Sequence, residues 1–247
     1  MISQMILSLR KLSAMKYLLF SIAIVTIFCS CHFVKGSGNI ISETRTVGNF
    51  ARISASHGFE VEFKYGTSTS VQIEADDNVM RYVDVRVEGD VLVIGISRHL
   101  SLTNAHLKAY VTGPMLDGMK ASSGADITSR DVLKDSGKMN FTASSAGTIT
   151  AEVDAPDVKV SASSGASVQL SGHTKNLDAE SSSGASVKSS ELMSENTYVS
   201  ASSGASAHVH ASVSLEAKAS SGADIYYRGN GSVRKTESSG GSVEKKD

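Results

Sequence analysis

Seven times between residues 122 and 242 the chain writes one short phrase, Ser-Ser-Gly-Ala-Ser/Asp-Val/Ile or a near copy. The copies start at Ser122, Ser144, Ser163, Ser182, Ser202, Ser220 and Ser238, at intervals of 22, 19, 19, 20, 18 and 18 residues. A period near 19 residues predicts a solenoid, a stack of similar coils none of which buries an apolar face alone. The same feature limits the functional reading, because repeated small polar residues build a scaffold and scaffolds serve many ends.

Strand side chains alternate between faces with period two. In the copy around Gly165, that alternation puts Val158, Val160, Ala162, Ala166, Val168 and Leu170 on one face, and Lys159, Ser161, Ser163, Ser167 and Gln169 on the other. Leu177, Ala179, Ala185 and Val187 read the same way, as do Leu215, Ala217, Ala219, Ala223 and Ile225. Each unit is then two short strands joined at a Ser-Ser-Gly corner and closed by a looser connection. Glycine permits the bend and leaves room for the coils above and below, and the neighbouring Ala keeps the interior narrow. Successive coils stack through parallel ladders about 4.8 Å apart. The second serine of each copy (Ser123, Ser145, Ser164, Ser183, Ser203, Ser221, Ser239) has inward parity, so its hydroxyl needs a partner. The second copy departs from the pattern as Ser144-Ser145-Ala146-Gly147, and the last ends in Gly240-Gly241. The final Glu244-Lys-Lys-Asp247 is a charged ending of the kind that discourages strand addition at an open edge.

Ahead of the repeats the chain is β-rich. Phe59-Glu-Val-Glu-Phe63 alternates apolar and acidic residues, and Val71-Gln-Ile73 resumes the alternation after a Gly66-to-Ser70 turn. Val83-Asp-Val-Arg-Val87 and Val91-Leu-Val-Ile94 flank Glu88-Gly89-Asp90, which predicts a hairpin. No apolar pattern at helical spacing persists over three turns, and residues 79–83 allow one helical turn at most.

The N-terminus reads as an address. Lys16 precedes a 12-residue apolar run from Tyr17 to Phe28. That run is too short to span a bilayer, which takes about 20 residues, and suits a secretory signal that starts most naturally at Met15. Cys31 follows Ser30 at the end of the run, an arrangement that resembles a bacterial lipobox and makes Cys31 the expected lipid attachment site. Phe28 stands where that signal usually has Leu. No cysteine follows Cys31, so the remaining fold has neither an internal disulfide nor a cysteine-based metal site. Residues 1–30 hold three cations (Arg10, Lys11, Lys16) and no acid, so their removal moves the formal net charge from −1 to −4. A mildly acidic surface without a basic stripe argues against nucleic acid as the partner. The expected division is a leader over 1–30, a tether over 31–38 with a Gly-Ser-Gly hinge, a β-rich part over 39–118, the repeat solenoid over 119–243 and a charged tail over 244–247.

Three stretches coincide with one known family: Gly36-Ser-Gly-Asn-Ile40 leading to Val47-Gly-Asn-Phe50-Ala-Arg-Ile53, the segment Val71-Gln-Ile-Glu-Ala-Asp-Asp-Asn78 with its hairpin to Ile94, and the Ser-Ser-Gly-Ala repeats. In their order and spacing they resemble the auto-transporter adhesin head domain, or head GIN domain, common in lipoproteins of the Bacteroidetes. The resemblance runs from about Gly38 to Val233. It implies an all-β, right-handed parallel β-helix, whereas the repeat arithmetic alone gives a β-solenoid without its hand. It brings no catalytic residues with it.

The residues themselves argue against a reactive centre. His208-Val-His210 puts two imidazoles on one strand face, but no third ligand lies near in sequence, so no metal site is expected. Asp126 and Asp224 fill the slot after Ser-Ser-Gly-Ala where other units have Ser, several coils apart and too far for a carboxylate dyad. Lys120, Arg130, Lys134, Lys159 and Lys188 are dispersed, and neither a phosphate loop nor a Gly-x-Ser-x-Gly elbow is present. Aromatic residues in the repeats are Phe141, Tyr198, Tyr226 and Tyr227. Tyr226 and Tyr227, pointing to opposite faces, offer the candidate polymer contact. The expectation is a non-enzymatic, lipid-anchored envelope protein, at the periplasmic face or the outer-membrane surface, that needs no cofactor. It acts as an adhesin or polymer-binding module on a glycan, a cell-wall polymer or a protein. The alternatives are a pectin lyase-like enzyme, which needs an acidic groove with a Lys or Arg base, and an envelope structural or stress protein.

Overall fold

The computed structural model describes residues 32–97 and 100–246, and these fall into two compact units. The leader and the Cys31 lipidation signal lie outside the described residues. In the smaller unit, strand His32–Lys35 pairs in parallel with Leu100–Thr103. The stretch expected to be a bare tether therefore carries a strand.

The larger unit is all β apart from one helical turn, Asp77–Met80. Its coils each contribute one strand to a first wall and one to a second, with the corner between them. In the first wall Val91–Ile96, Arg52–Ala55, Gly118–Ala121 and Lys138–Ala143 lie side by side in parallel, followed by segments 157–162, 176–182 and 196–202 and by strands Ser214–Ala219 and Ser232–Glu237. The second wall runs Leu107–Gly113, Glu60–Tyr65, Asp126–Ser129, then 148–155, 167–174, 186–194, Ser206–His210, Asp224–Arg228 and Ser242–Lys245. The β-solenoid expected for residues 119–243 thus reaches back into the 39–118 stretch, through coils at 52–65 and 91–113. Stacking order departs from chain order there: the 52–65 coil lies between the 91–113 coil and the first repeat. Antiparallel strands finish this end, with Val83–Glu88 on Val91–Ile96, Ser70–Asp76 on Leu107–Gly113, and Ile40–Arg45 outermost.

The corners explain the repeat. In each the first serine accepts a hydrogen bond from the residue three positions on, as from Ala125 N–H to Ser122 O at 3.1 Å. The two residues between have positive φ, 50° at Ser123 and 75° at Gly124. That pair of signs defines a tight type I′ turn. The corners also bond to each other, since the N–H of Gly124, Gly165, Gly184, Gly204 and Gly222 donates to the second serine's carbonyl on the next coil at 3.0–3.2 Å.

One expectation fails here. The second serines are exposed, not inward. Two consecutive left-handed residues interrupt the alternation, so the corner residues themselves do not follow the parity of the strands beside them. Parity holds again on either side: Ala125, Ala166, Ala185, Ala205 and Ala223 form one buried column. In the second copy Gly147 fills that column, and a Cβ there would meet the carbonyl of Ala121 at 2.6 Å. Ala146 is thereby pushed into the left-handed region, with φ 61°.

In three coils the far corner is tighter than the looser connection expected, whereas at 211–213 and 229–231 the strands do break. Strands Thr148–Ala162, Ser167–Ser182 and Ser186–Ser202 run through it without a break in pairing beyond the corner residue. Buried hydroxyls take up the turn's carbonyls: Thr174 donates to Pro156 O and Asn176 O, each at 3.2 Å, and Thr197 to His210 O at 2.6 Å. The one 20-residue interval reflects a bulge in the second wall, where the register shifts from Gln169 opposite Lys188 to Ser171 opposite Glu191.

Both ends of the stack are closed by specific polar groups. At the C-terminal end Lys235 and Glu237 sit opposite the buried Ala217 and Ala219. They bond to each other at 3.1 Å, and Glu237 also accepts from Val243 N–H at 2.7 Å. The core thus ends on inward charges, which is a stronger block to strand addition than the exposed tail predicted from sequence. At the other end the buried Asp76 carboxylate accepts from Gly38 N–H at 2.6 Å and His106 N–H at 2.7 Å. Ser37 and Asn39 bind Asp77 at 2.6 and 2.9 Å.

Candidate functional site

The outward side chains fall into ladders, because in-register strands place equivalent residues one above another. On the first wall one ladder runs Lys138, Asp157, Asn176, Asn196, Ser214 and Ser232. Its members bond along the stack: Asn176 donates to Asp157 at 2.8 Å, Asn196 to Asn176 at 3.1 Å and Ser214 to Asn196 at 2.9 Å. The next ladder runs Asn140, Lys159, Asp178, Tyr198, Glu216 and Arg234. Between them lies a groove of about 800 Å³.

Two of the carboxylates lining the groove, Asp178 and Glu216, are paired with lysines at its edge. Lys159 reaches Asp178 and Glu180, each at 3.2 Å. Those bonds hold its ammonium above the usual lysine range, the opposite of what a general base needs. Lys218 pairs with Glu216 at 2.8 Å and lies 5.0 Å over the Tyr198 ring, and the Lys218 bond lowers the Glu216 carboxyl below its ordinary value. One oxygen of Asp178, Oδ1, has no partner although it is buried. The groove therefore offers amides, hydroxyls, one unsatisfied carboxylate oxygen, one partly exposed aromatic ring and two cations, Lys138 and Arg234, without an ion pair among the described residues. That set suits a hydroxyl-rich ligand.

On the second wall a ladder runs Gln169, Lys188, His208, Tyr226 and Glu244. Tyr226 and Tyr227 are not brought together: Tyr226 stacks its ring 4.9 Å from that of His208, while Tyr227 is registered with Val209 on the opposite parity. His208 and His210 share the outward face but have different neighbours, Tyr226 for the first and the Ser194 carbonyl, 3.3 Å from Nδ1, for the second. Burial, then the charges of Lys188, Arg228 and Lys246, push the His208 imidazole below its ordinary pKa, so it is neutral at neutral pH. Asp126 and Asp224 lie in one column with Thr148, Ser167, Ser186 and Ser206 between them. Burial raises the Asp126 carboxyl. Among the described residues, no three His, Cys, Asp or Glu side chains are placed to hold a metal ion, and no helix is long and apolar enough to cross a membrane.

Sequence reasoning noted Tyr198 but missed the groove, whose residues are a coil apart in the chain. The signal was available: Asp157, Asn176, Asn196 and Ser214 follow one another at the repeat's own spacing.

No curated protein matches the chain. Several solved structures share the fold. A "putative adhesin" of Bacteroides fragilis has TM-score 0.77 and 19% identity over 86% of this chain and 98% of that one. A "putative adhesin" of Parabacteroides merdae has TM-score 0.71 and 18% identity over 88% and 100%. A "putative lipid binding protein" of Parabacteroides distasonis has TM-score 0.68 and 17% identity over 87% and 100%. The profile of the family described as "Putative auto-transporter adhesin, head GIN domain" matches residues 49–231, which spans the stack from the 52–65 coil to the start of the last, and this chain belongs to that family.

Proposed function

We propose that the protein is a non-enzymatic surface module of the cell envelope, anchored through lipid on Cys31, that binds a polymer laid along the first-wall groove. The observation that carries this is the hydrogen-bonded ladder Asp157–Asn176–Asn196–Ser214 beside Tyr198. It presents similar polar groups at every coil, so a polymer with a matching repeat meets many weak equivalent contacts and gains affinity by their number. A non-enzymatic reading is supported by Lys159, the base a lyase would draw on, which its carboxylate partners keep protonated. The envelope assignment rests on the adhesin family and on the leader with its lipobox.

The test is an array of glycans and cell-wall polymers probed with the full chain in detergent, with reducing-end release measured in parallel. Saturable binding without product is expected, weakened about tenfold by Tyr198→Ala, the loss of one aromatic contact of about 1.4 kcal/mol. Release of reducing or unsaturated sugar, abolished by Lys159→Ala, would overturn the reading in favour of an enzyme.

A further inference from the structure

We infer that the second wall carries a separate site for the carboxylate groups of an acidic glycan, formed by Lys188, His208, Tyr226 and Arg228 around the bulge at Ser189 and Ser190. Several independent features meet there. Three positive side chains, Lys188, Arg228 and Lys246, converge on His208 from three coils, although the sequence disperses its cations. Two are neutralised, Arg228 by Glu191 at 2.8 Å and Lys246 by Glu244 at 3.2 Å. Lys188 has no ion pair among the described residues, and it stands one coil from His208 in the same ladder. The two flank a cleft of about 370 Å³ with Gln169, Ser171, Ser190 and Glu191.

The bulge makes this cleft. The extra residue at Ser189 and Ser190 breaks the ladder between Lys188 and Glu191: Ser189, opposite the buried Val209, turns into the core, and Ser190 lines the cleft. A bulge bends its strand and re-aims the side chains beside it. Beside the unpaired ammonium stand two stacked rings, His208 and Tyr226, with Lys246 4.8 Å over the tyrosine face. A cation next to ring planes matches a sugar that presents a carboxylate on its edge and C–H groups on its face. A nucleic-acid backbone asks for a longer run of unpaired cations than this face holds. The site lies on the wall that does not form the groove, so it stands or falls independently of the groove.

Titration calorimetry of the full chain in detergent with a galacturonate hexamer, its fully methyl-esterified form, duplex DNA and phosphatidylserine vesicles tests it. The hexamer should bind, with the ester at least about tenfold weaker because the charge-assisted bonds are gone. Lys188→Ala and Tyr226→Ala should each weaken the hexamer about five- to tenfold, with circular dichroism unchanged and Lys64→Ala without effect. The inference is overturned if the ester binds as well as the acid, if Lys188→Ala changes nothing, or if DNA or vesicles bind as tightly as the hexamer.

Discussion

The larger unit builds the same coil in two ways. From 118 to 245, each coil repeats the last. Its corner column is Ala or Gly, and backbone bonds from corner to corner run continuously. From 40 to 113, no phrase recurs, the chain stacks out of order, and large side chains (Phe50, Phe59, Phe63) occupy the interior. Yet the 52–65 coil has the same corner. His57 and Gly58 have φ of 61° and 75°, and Gly58 N–H donates to Ser123 O at 3.0 Å, joining the ladder of the repeats. The corner's backbone conformation, rather than its composition, defines the coil. A repeat unit buries little per residue, about 0.8 kcal/mol per methyl-sized group, and relies on many coils. The N-terminal part relies on a few side chains and one buried carboxylate.

That contrast can be broken by mutation. Phe63→Ala should cost about 4 kcal/mol in chemical denaturation, against about 2 kcal/mol for Val187→Ala in the repeats; equal losses would erase the distinction. Asp76→Ala, which strips two backbone N–H groups of their acceptor, should cost about 3 kcal/mol. The bond from His106 N–H leads the lowering of Asp76's pKa. Its contribution is therefore present above the unfolded carboxyl's value, near about pH 4, and is lost as the pH falls through the folded value. The gap between wild type and Asp76→Asn should then narrow below that pH. A gap constant with pH would remove the charge from the account. At the corner, Ala146→Gly should stabilise by about 1 kcal/mol, since φ of 61° strains a residue with a Cβ. Gly147→Ala, one position on, should destabilise by more than that through its clash with Ala121 O. Smallest of all, Ser189→Ala should be neutral or raise stability by up to about 1 kcal/mol, because the hydroxyl it removes has no partner.

Much of this was legible. The seven phrases gave the coil, the buried Ala column and the faces of residues 158–170. The copy Ser56-His57-Gly58-Phe59-Glu60-Val61 was hidden because His replaces the second Ser and Phe replaces Ala, although Gly and the apolar alternation remained. The serine parity failed where left-handed residues interrupt the strand. The cap of Lys235 and Glu237 was overlooked although both share the parity of Val233. Ladders across coils were beyond a reading that followed neighbours along the chain. They become visible once residues 18 to 20 apart are compared.

The most direct test of stacking in register is a cysteine crosslink between the two regions. In a chain carrying Cys29→Ser and Cys31→Ser, the pair Glu60→Cys and Asp126→Cys occupies opposed positions on adjacent coils. Parallel neighbours lie within disulfide reach of about 4.4–6.8 Å between Cα atoms. The pair should oxidise readily, while Glu60→Cys with Thr148→Cys, one coil further away in the same column, should not. Crosslinking of the second pair, or of neither, would contradict the placement of the 52–65 coil beneath the first repeat.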